Sequence, residues 1–155
     1  AGRLMHLHVA GALSSLDRDR MAPGARPERT IDVPIRTLDD ILVEAGAPAR
    51  FDFLSIDVEG HELEVLSGFD VARWRPSLIL LDEPSEGLSP VLIDGLVDTL
   101  NKIRGAGTGV LVVEQHLSLV KRATDRFVIL AKGEVVGSGT IGAIGKPENQ
   151  ALMAL

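Results

Sequence analysis

The sequence predicts an α/β fold, a three-layer sandwich around a mostly parallel sheet. Three observations predict it. Leu78-Ile79-Leu80-Leu81 and Val110-Leu111-Val112-Val113 are short, almost wholly apolar runs, the pattern of parallel strands buried on both faces. Between them Leu92, Ile93, Leu96, Val97, Leu100 and Ile103 recur at helical spacing. Strand-like and helix-like segments then alternate along the chain, which implies right-handed crossovers within one sheet.

Taken in order, Leu4 to Val9 alternates with period two and reads as a strand. It places His6 and His8 on one face; no third ligand is signalled nearby, so a partly exposed strand face is favoured over a metal pair. Residues 11–30, rich in Gly, Ala, Pro, Arg and Asp, read as a loop. Ile31 to Ile35 alternates, and Pro34 marks it as an edge strand. A helix follows, capped by Thr37, with Asp39 and Asp40 at its positive end, Leu38, Ile41 and Leu42 as its stripe, and Gly46 as its stop. Phe51 to Ile56 is a strand, and His61 to Ser67 a short helix with Leu63 and Leu66 inward. Ser89 and Pro90 open the long helix, and Gly105 and Gly107 close it. Leu117 to Thr124 reads as helical. Arg126 to Leu130 and Glu134 to Val136 read as strands joined at Lys132-Gly133, with a short helix beyond Ile141.

Composition bounds the function. The 155 residues are 45% hydrophobic and 25% charged, the balance of a globular domain. A net charge of −6 and 3% aromatic residues disfavour nucleic-acid binding. Cysteine is absent, which excludes disulfides and thiolate metal sites and fits a reducing, cytoplasmic setting. No apolar run reaches the length of a membrane span, so no membrane insertion is expected.

Two strand ends carry chemistry. Beyond the strand ending at Ile56, Asp57, Glu59 and His61 stand where open α/β sheets bind ligands, and could hold a polar ligand or a metal or move a proton. A plain acidic helix start is the competing reading. Val33-Pro34-Ile35-Arg36-Thr37-Leu38-Asp39-Asp40, Ile56-Asp57-Val58-Glu59-Gly60-His61-Glu62-Leu63-Glu64-Val65-Leu66 and Trp74-Arg75-Pro76-Ser77-Leu78-Ile79 resemble the FkbM family of S-adenosylmethionine-dependent methyltransferases. Leu13-Ser14-Ser15-Leu16 fits less specifically. The resemblance implies a Rossmann-like fold and places Asp57, Glu59 and His61 near methyl transfer. The family's glycine-rich cofactor loop has no counterpart in these residues.

At the second end, the apolar strand delivers Asp82 and Glu83, followed by Pro84-Ser85-Glu86-Gly87-Leu88-Ser89-Pro90, and the next strand ends in Glu114-Gln115-His116. A strand tip bearing Asp then Glu can hold hydrated magnesium and polarise water. The set over about residues 78–140 resembles the C-terminal half of ABC-transporter ATPases, most like the branched-chain amino-acid type. The resemblance implies Walker B residues Asp82 (magnesium through water) and Glu83 (general base). It also implies a D-loop at Ser85, Glu86, Gly87 and Leu88, and a switch region at Gln115 and His116. The phosphate loop Gly-x-x-x-x-Gly-Lys-Ser/Thr and the Leu-Ser-Gly-Gly signature are absent; Gly145-Lys146-Pro147 is a chance near-match.

Ser77 to Asp82 serves both resemblances. The expectation is therefore a hybrid chain, residues 1–81 methyltransferase-like and 78–155 ATPase-like, sharing one sheet. It should have little or no activity of its own and weak or absent binding of Mg-ATP and S-adenosylmethionine. The alternatives are an enzyme completed by preceding sequence or a partner, and a binding or scaffold module. A homodimer through a bare sheet edge or the D-loop face is expected, and a membrane permease partner only for a complete ATPase.

Overall fold

The computed structural model describes residues 4–9, 26, 28–58 and 60–153, without the side chains of His6, His8 and Val9. The Leu13–Leu16 stretch, most of the expected 11–30 loop and Glu59 lie outside the described residues, as does the histidine pair's side-chain geometry. The chain divides into two compact units, Ala1–Ala47 and Pro48–Leu155.

In the first unit, β1 (Leu4–Val9) pairs antiparallel with β2 (Arg29–Pro34), Leu4 opposite Pro34. Helix α1 (Leu38–Glu44) starts as the sequence predicts: Thr37 Oγ1 accepts from the Asp40 amide at 3.1 Å, satisfying one orphan donor. Gly46, at φ 63°, takes the left-handed conformation that ends it.

The second unit is built on β3 (Phe53–Ile56), β4 (Leu78–Asp82) and β5 (Gly109–Val113), parallel and in the order β3-β4-β5. Helices α2 (Glu62–Ser67) and α3 (Val71–Trp74) connect the first two strands, and α4 (Pro90–Gly105) the next two. Helix α3 was not foreseen; Asp70 caps it through the amides of Ala72 and Arg73. Helix α5 (Leu117–Ala123) packs on α4. Ile79, Leu81, Leu96, Leu100 and Leu119 are fully buried, and each such side chain contributes about 1.5–3 kcal/mol. The chain ends in a hairpin of β6 (Arg126–Ala131) and β7 (Glu134–Thr140), a 3₁₀ turn at Ile141–Ala143 and α6 (Pro147–Leu152). Lys132 and Gly133 both have positive φ, the geometry of a tight hairpin turn.

The α/β class and the parallel sheet are as expected. The burial of its strands is not. Ile79 and Leu81 are 0% exposed, but Phe53 is 53%, Leu111 50% and Val113 47% exposed. The expectation that Val110 to Val113 is buried on both faces is corrected. Both crossovers step in the same direction across the sheet, so right-handedness sends α2, α3 and α4 to one face. The touching of α2 and α4 agrees with this. The opposite face receives no helix from these connections. Strand β6 pairs with β7 rather than β5, which leaves the outer edge of β5 unpaired among the described residues.

Candidate functional site

Parallel register brings the two predicted strand ends together. Ile56 stands opposite Leu81, so Asp57 leaves β3 beside Asp82 at the end of β4. Asp57, Asp82, Glu83 and Glu86 line one cavity of about 220 Å³. A larger cavity of about 590 Å³, with Arg50, Asp52, Arg75, Ser77 and Thr108 in its wall, lies at the amino ends of the strands and holds none of the sequence candidates.

The loop after β4 is tied to β5. Glu83 donates its amide to the Val113 carbonyl at 2.9 Å, although its φ of 43° is left-handed. A non-glycine residue there carries strain of about 1–2 kcal/mol and needs surrounding contacts to hold it. Gln115 supplies one, its side-chain amide donating to Glu83 Oε1 at 2.5 Å. Gly87, at φ 68°, lets the loop turn back toward α4.

Beneath these residues is a group that spacing did not single out. The Glu114 side chain is 2% exposed. Its Oε2 accepts from Ser85 Oγ at 2.6 Å and the Ser85 amide at 3.3 Å. Its Oε1 accepts from the Gln115 amide at 2.7 Å and the His116 amide at 2.9 Å. Burial pushes the Glu114 carboxyl up. The bonds from Ser85 Oγ and from the His116, Gln115 and Ser85 amides outweigh it and hold the group below its usual value. The Ser85 side chain is thus consumed internally, and the residue is 3% exposed; Glu86 and Gly87 are the exposed part of the predicted D-loop.

At the end of β3 a second buried acid, Glu62, does a local version of the same work. It is 0% exposed and accepts from the Val58 amide at 3.2 Å and the Gly60 amide at 3.0 Å. Gly60, at φ 91°, allows that close turn. His61, a predicted site residue, has its Nε2 buried without a hydrogen-bond partner. Glu59 lies outside the described residues. The signal that could have found Glu62 and Glu114 is a carboxylate next to a strand-end turn with several amides to satisfy.

The cavity lining is chemically one-sided. Hard carboxylate oxygens suit magnesium, which keeps most of its waters and takes one or two protein carboxylates. Among the described residues no three His, Cys, Asp or Glu converge closely enough to cage an ion, so the fit is to an ion held through water. The four lining acids offer acceptors only. They give the phosphates of ATP and the carboxylate of S-adenosylmethionine no donor, and adenine no apolar wall; neither organic group fits this cavity as it stands.

Comparison with known proteins returns both resemblances. The family described as methyltransferase FkbM domain matches residues 6–102. The high-affinity branched-chain amino acid transport ATP-binding protein BraG of Pseudomonas aeruginosa is 30% identical over 95 residues, covering 61% of this chain and 41% of that protein. The probable amino-acid import ATP-binding protein YxeO of Bacillus subtilis is 26% identical over 101 residues, 65% of this chain and 41% of that protein. The chain therefore spans less than half the length of these curated relatives. An ATP-binding cassette of an ABC transporter, in its ADP conformation, aligns at TM-score 0.50 and 21% identity, over 61% of this chain and 39% of that one. A nucleotide-free cassette aligns at TM-score 0.50 and 19% identity, with the same coverage; at such identity the likeness is one of fold.

Proposed function

The chain belongs to the methyltransferase FkbM domain family, and from that premise we propose that it is a hybrid. In this reading an FkbM-type part, residues 1–81, runs into the Walker B, D-loop and switch strand of an ABC ATPase, residues 78–155, and the join falls inside β4. The observation that carries the reading is the shared cavity. Asp57, from the methyltransferase-like motif, lines the same space as Asp82, Glu83 and Glu86, from the ATPase-like motif. Asp82 would hold hydrated magnesium through water, Glu83 is the residue that would polarise a water, and Gln115 positions Glu83. Asp57, Glu59 and His61 are the remnant of the methyl-transfer site.

Autonomous turnover is little or none. Four carboxylates around one cavity repel a nucleotide polyanion, and the 155 residues contain no phosphate-loop sequence to supply backbone donors. The chain is cytoplasmic in this reading; no described helix is long and apolar enough to cross a membrane. It binds no nucleic acid. It associates, if at all, with a second copy through the β5 edge or the Glu86-Gly87 face; a permease subunit would be a partner of a complete ATPase only.

A second reading is favoured by one observation, the edge of β5 left unpaired among the described residues: a working ATPase or methyltransferase completed by further sequence or a partner chain. Calorimetry of the 155-residue chain with Mg-ATP and with S-adenosylmethionine tests the proposal that these residues bind neither cofactor by themselves. The hybrid predicts dissociation constants of about 1 mM or weaker, no more than about 4 kcal/mol of binding. A micromolar constant for either ligand contradicts it.

A further inference from the structure

The proposed magnesium site makes no use of the buried Glu114 or of the side chains stacked on it. Three groups from two strand ends form a chain there. Glu114 Oε2 is 2.6 Å from Ser85 Oγ, Ser85 Oγ is 2.8 Å from His116 Nδ1, and His116 Nδ1 is 3.2 Å from Glu114 Oε1. The hydrogens in this chain can be assigned. Glu114 is ionised at neutral pH, because its carboxyl is held below the ordinary range. An ionised carboxylate only accepts, so the 2.6 Å contact takes the single hydroxyl hydrogen of Ser85. Ser85 Oγ then has only lone pairs left for the imidazole. Both neighbours of His116 Nδ1 are therefore acceptors, and Nδ1 must carry a hydrogen.

We infer that Glu114 and Ser85 form a positioning relay that fixes neutral His116 as the Nδ1–H tautomer and leaves Nε2 as an outward-facing proton acceptor. The His116 side chain is 66% exposed while Glu114 beneath it is 2% exposed, so the free nitrogen belongs to the solvent side of the relay. The ligand class follows: a water, a hydroxyl or a metal ion that meets a lone pair. A phosphate oxygen does not qualify while the ring is neutral, because Nε2 then has no hydrogen to give. The inference also separates the two residues of the switch region. Gln115 spends its side-chain amide on Glu83, whereas the His116 ring is set on the opposite polarity by Ser85 Oγ and the Glu114 carboxylate at its Nδ1.

The constellation is not a serine nucleophile. In a Ser-His-acid triad the imidazole takes the hydroxyl hydrogen and the carboxylate orients the imidazole. Here the hydroxyl hydrogen goes to the carboxylate and the serine is 3% exposed.

The test is ¹⁵N NMR of the histidine ring in the whole chain at about pH 8.5, two units above the ordinary histidine pKa of about 6.5. No nucleotide or metal is present, so the outcome is independent of whether Mg-ATP binds. The expected result is a His116 ring with Nδ1 protonated and Nε2 bare. In Glu114→Gln the carboxylate that claims the Ser85 hydrogen is gone, Ser85 Oγ can donate to Nδ1, and the two nitrogen signals should each move toward an averaged position as both tautomers become populated. In Ser85→Ala the Glu114 carboxylate still faces Nδ1 at 3.2 Å, so the wild-type tautomer should persist. If Glu114→Gln does not fold, the wild-type ring decides alone. A wild-type ring protonated on Nε2 overturns the inference, and so does a Glu114→Gln ring that keeps the wild-type tautomer.

Discussion

The ends of β3 and β5 solve one problem at two ranges. Each leaves backbone amides that a turn cannot satisfy, and each buries a glutamate to accept them. Glu62 reaches back within its own turn, to Val58 and Gly60. Glu114 serves its own neighbours Gln115 and His116, and also crosses to Ser85, 29 residues away. The first arrangement stabilises one loop. The second makes the geometry of the β4 loop depend on β5, so Glu83, Ser85, Gln115 and His116 are organised together.

The largest expected effect follows from that difference. Glu114→Ala removes an acceptor from four donors at two strand ends and should cost about 3 kcal/mol. Chemical denaturation measures it. Hydrogen exchange should quicken together at Ser85, Gln115 and His116; acceleration at only one strand end would show the two loops to be independent. Glu62→Ala should cost less, about 1–2 kcal/mol, with faster exchange confined to Val58 and Gly60. A loss as large as that of Glu114→Ala would erase the contrast.

Acid sharpens it further. The folded-state pKa of Glu114 is depressed, so the group contributes stability that is fully present above its unfolded value near 4.5 and is lost as pH falls through the lower folded value. Glu114→Gln should flatten the stability profile below about pH 4.5, checked by thermal melts between about pH 3 and 7; an unchanged acid limb would remove Glu114 from the account. The smallest effect belongs to the cavity rim. Asp57→Asn or Glu86→Gln relieves like-charge repulsion at exposed positions and should change stability by no more than about 0.5 kcal/mol, in the stabilising direction. Clear destabilisation of either variant would show that these acids are partnered rather than mutually repelling.

Local signals were legible in the sequence. Thr37 as a cap, Gly46 as a stop and Lys132-Gly133 as a turn need only a few residues to act, and each is found where those residues place it. The periodicity of α4 and the order β3-β4-β5 were legible because crossover handedness restricts the choices. The apolar run at Val110 to Val113 misled, because a strand's composition reports the cover it suits and not whether a helix arrives to supply it. The site was half legible. Asp57, Asp82 and Glu83 stand at strand tips, as motif spacing indicated. That they share one cavity depends on register between β3 and β4, and the work of Glu114 depends on a contact 29 residues away, which no local pattern carries.

The claim that two motifs have become one site is tested most directly with Mn²⁺ as a paramagnetic stand-in for magnesium. Amide signals of the 155-residue chain are followed as the ion is added at micromolar to millimolar levels. The account predicts that signals around Asp57 and from Asp82 to Glu86 broaden together, along one shared titration curve. Broadening restricted to Asp82–Glu86, or separate curves at the two strand ends, would contradict it.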